Sequence, residues 1–148
     1  MQNLSFYVHI PYCVKRCGYC DFNTYTPAEL RDGGTLEGVS EGFIDSLIAE
    51  VTFASRTQTT TIPTIFFGGG TPSLLSGSII AKILGYVRSA FKVRSDAEIS
   101  LEANPGAVTG DNLSIYREAG VNRISFGAQS FNHEVLSALG RIHSAAQT

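Results

Sequence analysis

Residues 5–10, Ser-Phe-Tyr-Val-His-Ile, alternate polar and apolar side chains with the period of two that a β-strand imposes, and Pro11 ends the run. Beyond a Gly-rich stretch at 31–42, Phe43, Leu47, Ile48 and Val51 recur at helical spacing. A Thr-rich turn at 57–61 then leads into an apolar run at 64–67, so this part reads helix, turn, strand. Ile79, Ile83, Val87 and Phe91 repeat every four residues with Ile80 and Leu84 beside them, which predicts an amphipathic helix over 77–91. Residues 98–103 alternate again as a third strand. Asp111 to Ala119 are helical in pattern, with Gly120 where a left-handed C-cap belongs. A fourth strand is expected at 123–128. A last helix follows, with Asn132 as N-cap, Val135, Leu136 and Leu139 on its apolar side and Gly140 as its stop.

Strand and helix thus alternate four times, with no linker, low-complexity tract or repeat of fixed period. Alternation of this kind predicts an α/β fold of parallel strands joined by right-handed helical crossovers, either an open doubly wound sheet or part of a βα barrel. Strand parity bears on the choice, because a barrel mouth takes polar side chains on its inward positions while helices cover the outward ones. Tyr7 and His9 oppose Phe6, Val8 and Ile10. Ser100 and Glu102 oppose Ile99, Leu101 and Ala103. Ser125, Gly127 and Gln129 oppose Ile124, Phe126 and Ala128. Each strand also runs into an unusual group: cysteines after the first, Gly68-Gly69-Gly70-Thr71 after the second, Glu102 at the third and Gln129 at the fourth. All of them would gather at the C-terminal rim, where parallel βα architectures bind ligands.

Composition narrows the function classes. With 148 residues and 43% hydrophobic content the chain can bury one sizeable core. A net charge of −2 with scattered Lys and Arg leaves no basic footprint, so no nucleic-acid partner is expected. Residues 1–10 lack the layout of a signal peptide, and the most apolar later stretch, 74–91, is interrupted by Ser76, Gly77, Lys82 and Arg88. The reading is therefore a cytoplasmic protein with no membrane span.

The three cysteines, Cys13, Cys17 and Cys20, fall within eight positions. An odd, tightly spaced set with no export signal argues against a disulfide framework and for metal ligation. Three thiolates on one loop can hold three irons of a [4Fe–4S] cube and leave the fourth open to a substrate. Two alternatives stand beside this: a zinc site with His9 as fourth ligand, and thiols that are merely buried. The glycine run sits between strand and helix but matches neither G-x-x-x-x-G-K-[ST] nor G-x-G-x-x-G. It is either a plain turn or a place where a ligand approaches backbone closely. Glu102, Gln129 and Arg141 taken singly read better as surface residues than as a site.

Taken together the motifs are more specific. Tyr7-Val-His-Ile-Pro-Tyr-Cys13-Val-Lys-Arg-Cys17-Gly-Tyr-Cys20-Asp-Phe resembles the signature of the radical S-adenosylmethionine (SAM) superfamily, in its oxygen-independent coproporphyrinogen oxidase-like group. Phe67-Gly-Gly-Gly-Thr-Pro-Ser73, Ser100-Leu-Glu-Ala-Asn-Pro105 and Arg123-Ile-Ser-Phe-Gly-Ala-Gln-Ser-Phe131 resemble further motifs of that group in the same order, so the likeness spans 5–143. The resemblance implies an incomplete (β/α) radical SAM barrel, about four βα units of a TIM-like partial barrel. It implies a [4Fe–4S] cluster on Cys13, Cys17 and Cys20, and SAM contacts from Tyr7, Tyr19, Gly69, Gly70, Thr71, Glu102, Gln129 and Arg141. It further implies reductive cleavage of SAM to methionine and a 5′-deoxyadenosyl radical.

Within the group, the dehydrogenases carry a further cysteine two positions after the third, where this chain has Phe22, and an N-terminal extension that is missing here. The likeness is therefore closer to the HemW-like haem chaperones than to the coproporphyrinogen III dehydrogenases, which decarboxylate their substrate oxidatively. A zinc-stabilised, non-catalytic binding module is the alternative from another class. Haem or a porphyrinogen, an electron donor of unknown identity and a haem-acceptor protein are the partners that the resemblance implies for the complete protein. The downstream haem-associated motif has no counterpart in these residues. Because the family has more βα units than are counted here, residues 1–148 are expected to be the N-terminal part of a radical SAM core, without its later barrel units and C-terminal domain. They would be a truncated piece or gene fragment, marginal alone, with an unpaired apolar edge on the last strand.

Overall fold

A computed structural model describes residues 4–30, 36–56 and 60–148, with the backbone alone for 36–41. The elements run β1 (Phe6–Ile10), α1 (Leu36–Ser55), β2 (Thr61–Gly69), α2 (Gly77–Ala90), β3 (Lys92–Ala103), α3 (Gly110–Ala119), β4 (Arg123–Phe126) and α4 (His133–Ala138). All four strands are parallel and lie in the order β1-β2-β3-β4, so each crossover returns to the neighbouring position as expected of successive βα units. Among the described residues no helix is long and apolar enough to cross a membrane.

The core lies between the sheet and its helices. Val8, Ile10, Ile65, Phe67, Ile99 and Leu101, the outward set of the first three strands, are buried against Ile80, Ile83, Leu84 and Val87 of α2 and Ile44 and Val51 of α1. Helix α2 lies between α1 and α3. Its approach to α3 depends on Gly77, because a Cβ there would fall 2.0 Å from Ile115 Cγ2. Caps place the helix ends. Ser76 accepts from the Ile79 N–H at 3.4 Å, Thr109 from the Asn112 N–H at 3.2 Å, and Asn132 from the Glu134 and Val135 N–H groups at 2.8 and 3.1 Å. Gly120 (φ 108°) and Gly140 (φ 71°) supply the left-handed stops. Tyr116, wholly buried, ties α3 to the segment after β2 by donating its hydroxyl to the carbonyls of Ser73 (3.1 Å) and Leu75 (2.6 Å).

Several boundaries differ from the sequence expectation. Helix α1 begins at Leu36, inside the stretch read as Gly-rich loop, because packing of its later turns outweighs the weak helix preference of Gly38 and Gly42. Of the Thr-rich turn, 57–59 lie outside the described residues. β3 starts at Lys92, six residues before the alternation does. It pairs Lys92 and Val93 with Thr61 and Ile62 and then shifts register, so that Glu98 meets Thr64. The polar Arg94–Asp96 segment inside that shift masks the period of two. β4 ends at Phe126 rather than 128, and Phe126, expected under helices by parity, is exposed. Among the described residues β4 pairs with β3 alone, and the six-residue α4 buries chiefly Leu136.

Candidate functional site

The opposite face of the sheet carries the polar parity set. Tyr7 stacks on Phe66 (centroids 5.9 Å apart, planes within 17°), and a Cβ at Gly68 would sit 2.9 Å from the Tyr7 ring and 3.2 Å from Glu102 Oε2. The glycine thus lets Tyr7 and Glu102 meet across β2. Burial, with the Glu102 charge second, pushes the Tyr7 hydroxyl above its ordinary pKa.

The loop leaving β1 is fastened at its base. Tyr25 N–H donates to the Pro11 carbonyl (2.6 Å) and Cys13 N–H to the Tyr25 carbonyl (3.0 Å). His9 Nε2 faces the Asn23 carbonyl at 2.9 Å, which can only accept. Nε2 therefore carries the proton in the neutral ring, and Nδ1 accepts from the Tyr7 hydroxyl at 3.1 Å. Arg16 spans the loop, bonding the Thr24 carbonyl and pairing with Glu29 at 2.8 Å, while Glu29 also accepts from Thr26. Sequence reading passed over this clasp. Its one signal is Thr26-Pro-Ala-Glu29, the spacing of a capping box.

The loop after β2 is laced onto the first by Gly70 N–H to the Ile10 carbonyl (2.7 Å) and Thr71 N–H to the Tyr12 carbonyl (2.8 Å). The backbones approach so closely that a Cβ at Gly70 would stand 2.5 Å from Tyr12 O and 3.0 Å from Cys13 Sγ. Thr71 Oγ1 lies 3.6 Å from the same sulfur. Cys13 is buried and Cys17 and Cys20 half-buried, all of them free thiols. Burial pushes the Cys13 thiol up against the opposing pull of the Thr71 and Thr24 hydroxyls, with the neighbouring cysteines adding to the rise.

These loops enclose a cavity of about 330 Å³. Cys13, Cys17, Cys20, Tyr19, Gly69, Gly70, Thr71, Glu102, Gln129 and Arg141 all line it; Tyr7 is not in its wall but is held beside Glu102. Lys15, Phe22, Asn104 and Phe126 are wall residues that no sequence signal assigned there. Gln129 reaches the cavity by a backbone at φ 62°, an uncommon conformation for a side-chain-bearing residue and of the kind that collects at functional sites. Arg141 reaches it because Gly140 turns the chain back after α4. Its guanidinium donates to the Gly127 carbonyl at 2.8 Å and to Cys17 Sγ at 3.3 Å, leaving its buried Nε unpartnered.

Three thiols on one loop are a donor set for an iron–sulfur centre with one metal position left for another ligand. A glycine wall, a carboxylate and a guanidinium line the same cavity and can receive a polar organic molecule. The zinc alternative finds no fourth ligand in His9, whose ring nitrogens bond Tyr7 and Asn23 and which does not line the cavity. Among the described residues no three His, Cys, Asp or Glu side chains group as ligands of a single metal ion.

Residues 7–148 match the family model of the radical SAM superfamily. The chain belongs to that superfamily. Radical SAM membership implies SAM and a [4Fe–4S] cluster, which the donor set fits. The heme chaperone HemW of Escherichia coli is 46% identical over 140 residues, covering 95% of this chain and 35% of that protein. HemW of Mycobacterium tuberculosis is 44% identical over 145 residues, covering 97% and 36%. The solved structure of E. coli coproporphyrinogen III oxidase (HemN), a radical SAM enzyme, superposes with a TM-score of 0.84 at 31% identity, covering 97% of this chain and 32% of that one. The partial-barrel reading of the four βα units therefore holds, and the choice against an open doubly wound sheet is made. The chain spans about a third of the length of the curated relatives it matches.

Proposed function

We propose that these residues are the cluster- and SAM-binding part of a HemW-like haem chaperone working in the cytoplasm, where thiols stay reduced. The observation that carries the reading is the convergence on one cavity of the three cysteines with Gly69, Gly70, Thr71, Glu102, Gln129 and Arg141. In this reading Cys13, Cys17 and Cys20 hold the cluster. The bound cluster supplies one electron to SAM. The Gly69–Gly70 backbone and Glu102 accept from the SAM ammonium, Arg141 offers its fork to a carboxylate or ribose, and Thr71, Gln129 and Tyr19 complete the wall. Tyr7 acts on SAM through Glu102, beside which it is held. The names of the relatives favour haem as the cargo, to be passed to an acceptor protein.

A second reading, oxidative decarboxylation of coproporphyrinogen III in the manner of HemN, is favoured by the structural likeness to that enzyme. Phe22, exposed in the cavity wall, stands where the dehydrogenases carry a cysteine and weighs against it. Anaerobic reconstitution with ferrous iron and sulfide tests the common core. A brown protein with four irons per chain that binds SAM by calorimetry is expected, and a colourless zinc-loaded one overturns it. Haem titration followed by transfer to apo-cytochrome, against decarboxylation of coproporphyrinogen III, then separates the two readings.

A further inference from the structure

Arg141 is held in a way that a mere wall residue is not. Its N–H donates to the Leu136 carbonyl at 2.9 Å, Gly140 before it takes the left-handed turn, and two residues later the buried His143 bonds the Ala128 carbonyl at 3.1 Å. The backbone around it is thereby pinned to α4 and to the exit of β4. The guanidinium is pinned too, by the Gly127 carbonyl at 2.8 Å, and a Cβ at Gly127 would lie 3.5 Å from it. What the fork then points at is a sulfur, with Nη1 3.3 Å from Cys17 Sγ. Tyr19 lines the same cavity as Cys17 and Arg141.

We propose that Arg141 tunes the cluster: it donates a charge-assisted N–H···S bond to the thiolate of Cys17 and so makes one-electron reduction of the cluster easier. The inference rests on the cluster reading above and deepens it. Reduction adds one electron from an external one-electron donor to the cluster, taking it from the 2+ to the 1+ state; no bond breaks and the guanidinium keeps its proton throughout. The reduced state carries one more negative charge, shared with its thiolates. A fixed cation bonded to one of those sulfurs stabilises that state more than the oxidised one. Lys15 is the other cation of the cavity, with Nζ 3.7 Å from where a Cβ at Gly140 would be, but its side chain is exposed and water screens it. The effect therefore belongs to the bonded arginine.

The test is an EPR-monitored redox titration of the reconstituted protein with dithionite and mediators. SAM is absent, so that a lost SAM contact does not enter. For R141M the equilibrium constant for cluster reduction should fall about tenfold, a midpoint about 59 mV more negative for one electron. K15M should move it much less. An R141M midpoint equal to the parent's overturns the proposal, and so does a K15M shift as large as that of R141M. Where R141M fails to hold four irons, R141Q, equally uncharged but polar, carries the same expectation and the same refutation. The parent alone gives a third readout, since exchange into D2O should shift a terminal iron–sulfur stretch in resonance Raman; no shift overturns the proposal. A parent that takes up no iron and sulfide sinks the cluster reading itself, whereas a loaded parent with an unmoved R141M potential sinks only the tuning.

Discussion

Adding one methyl group at Gly70 should be among the most damaging small changes in this chain. The Cβ of Gly70→Ala would meet Tyr12 O at 2.5 Å, roughly 0.9 Å short of the 3.4 Å at which ordinary contact begins, and Cys13 Sγ and Ile10 O at 3.0 Å. None of these neighbours can step aside freely, because Gly70 and Thr71 themselves donate to the Ile10 and Tyr12 carbonyls at 2.7 and 2.8 Å. The methyl fits only if the second loop lifts off the first. Overpacking costs about 1–3 kcal/mol, and the strained backbone bonds add roughly 1 kcal/mol more, for a total of about 2–4 kcal/mol. For a chain of this size that lowers the melting temperature by roughly 6–12 °C. Displacing Cys13 should also cost cluster occupancy. The same substitution at Gly85, where no heavy atom lies within 4 Å of the added carbon, should instead stabilise α2 by about 0.5–1 kcal/mol and leave iron content unchanged. Thermal unfolding of the metal-free proteins by circular dichroism, followed by iron and sulfide analysis after anaerobic reconstitution, reads both effects. A G70A variant that melts with the parent and loads a full cluster would refute the reasoning.

Three further outcomes are expected. Tyr116→Phe removes the donor to the Ser73 and Leu75 carbonyls inside the core and should cost about 1–3 kcal/mol in urea unfolding; a midpoint equal to the parent's would show those bonds to be idle. Glu102→Gln should weaken SAM binding roughly ten- to hundredfold by calorimetry while iron content stays intact, and unchanged affinity would remove Glu102 from the site. Glu29 is held below the ordinary carboxylate range, first by the Thr26 N–H and hydroxyl and then by Arg16. A lowered folded pKa stabilises above the unfolded value and ceases to do so as pH falls through the folded one. The stability advantage of the parent over Glu29→Gln should therefore be full above the ordinary carboxylate range and be lost in acid as pH falls through the lowered folded pKa. An advantage independent of pH would mean that the clasp does not act through charge.

Local chemistry decided what lay within a few residues of itself. The period-two alternation of 5–10 and the four-residue repeat of α2 hold wherever the elements pack, because a side chain's face follows from backbone geometry alone. Gly120, Asn132 and Gly140 end or start helices by conformational preference and a short hydrogen bond, which any fold containing those helices would use. The cysteine trio is equally local, its spacing written into eight consecutive positions. Parity named the side of the sheet on which Tyr7 and Glu102 belong, whereas Gln129, beyond the end of β4, reaches the cavity through its own left-handed backbone. Parity could not say which of them would reach the cavity, and Tyr7 stands beside Glu102 rather than in the wall. The start of β3 was hidden because a register shift lets a charged segment ride inside a strand, and parity misjudged Phe126 because it closes β4 and stands in the cavity wall. Above all, Arg141 and Cys17 lie 124 positions apart and meet at 3.3 Å. No spacing rule reaches that far. Such a contact exists only once strand order, register and the turn at Gly140 have brought two separate loops to the same end of one sheet.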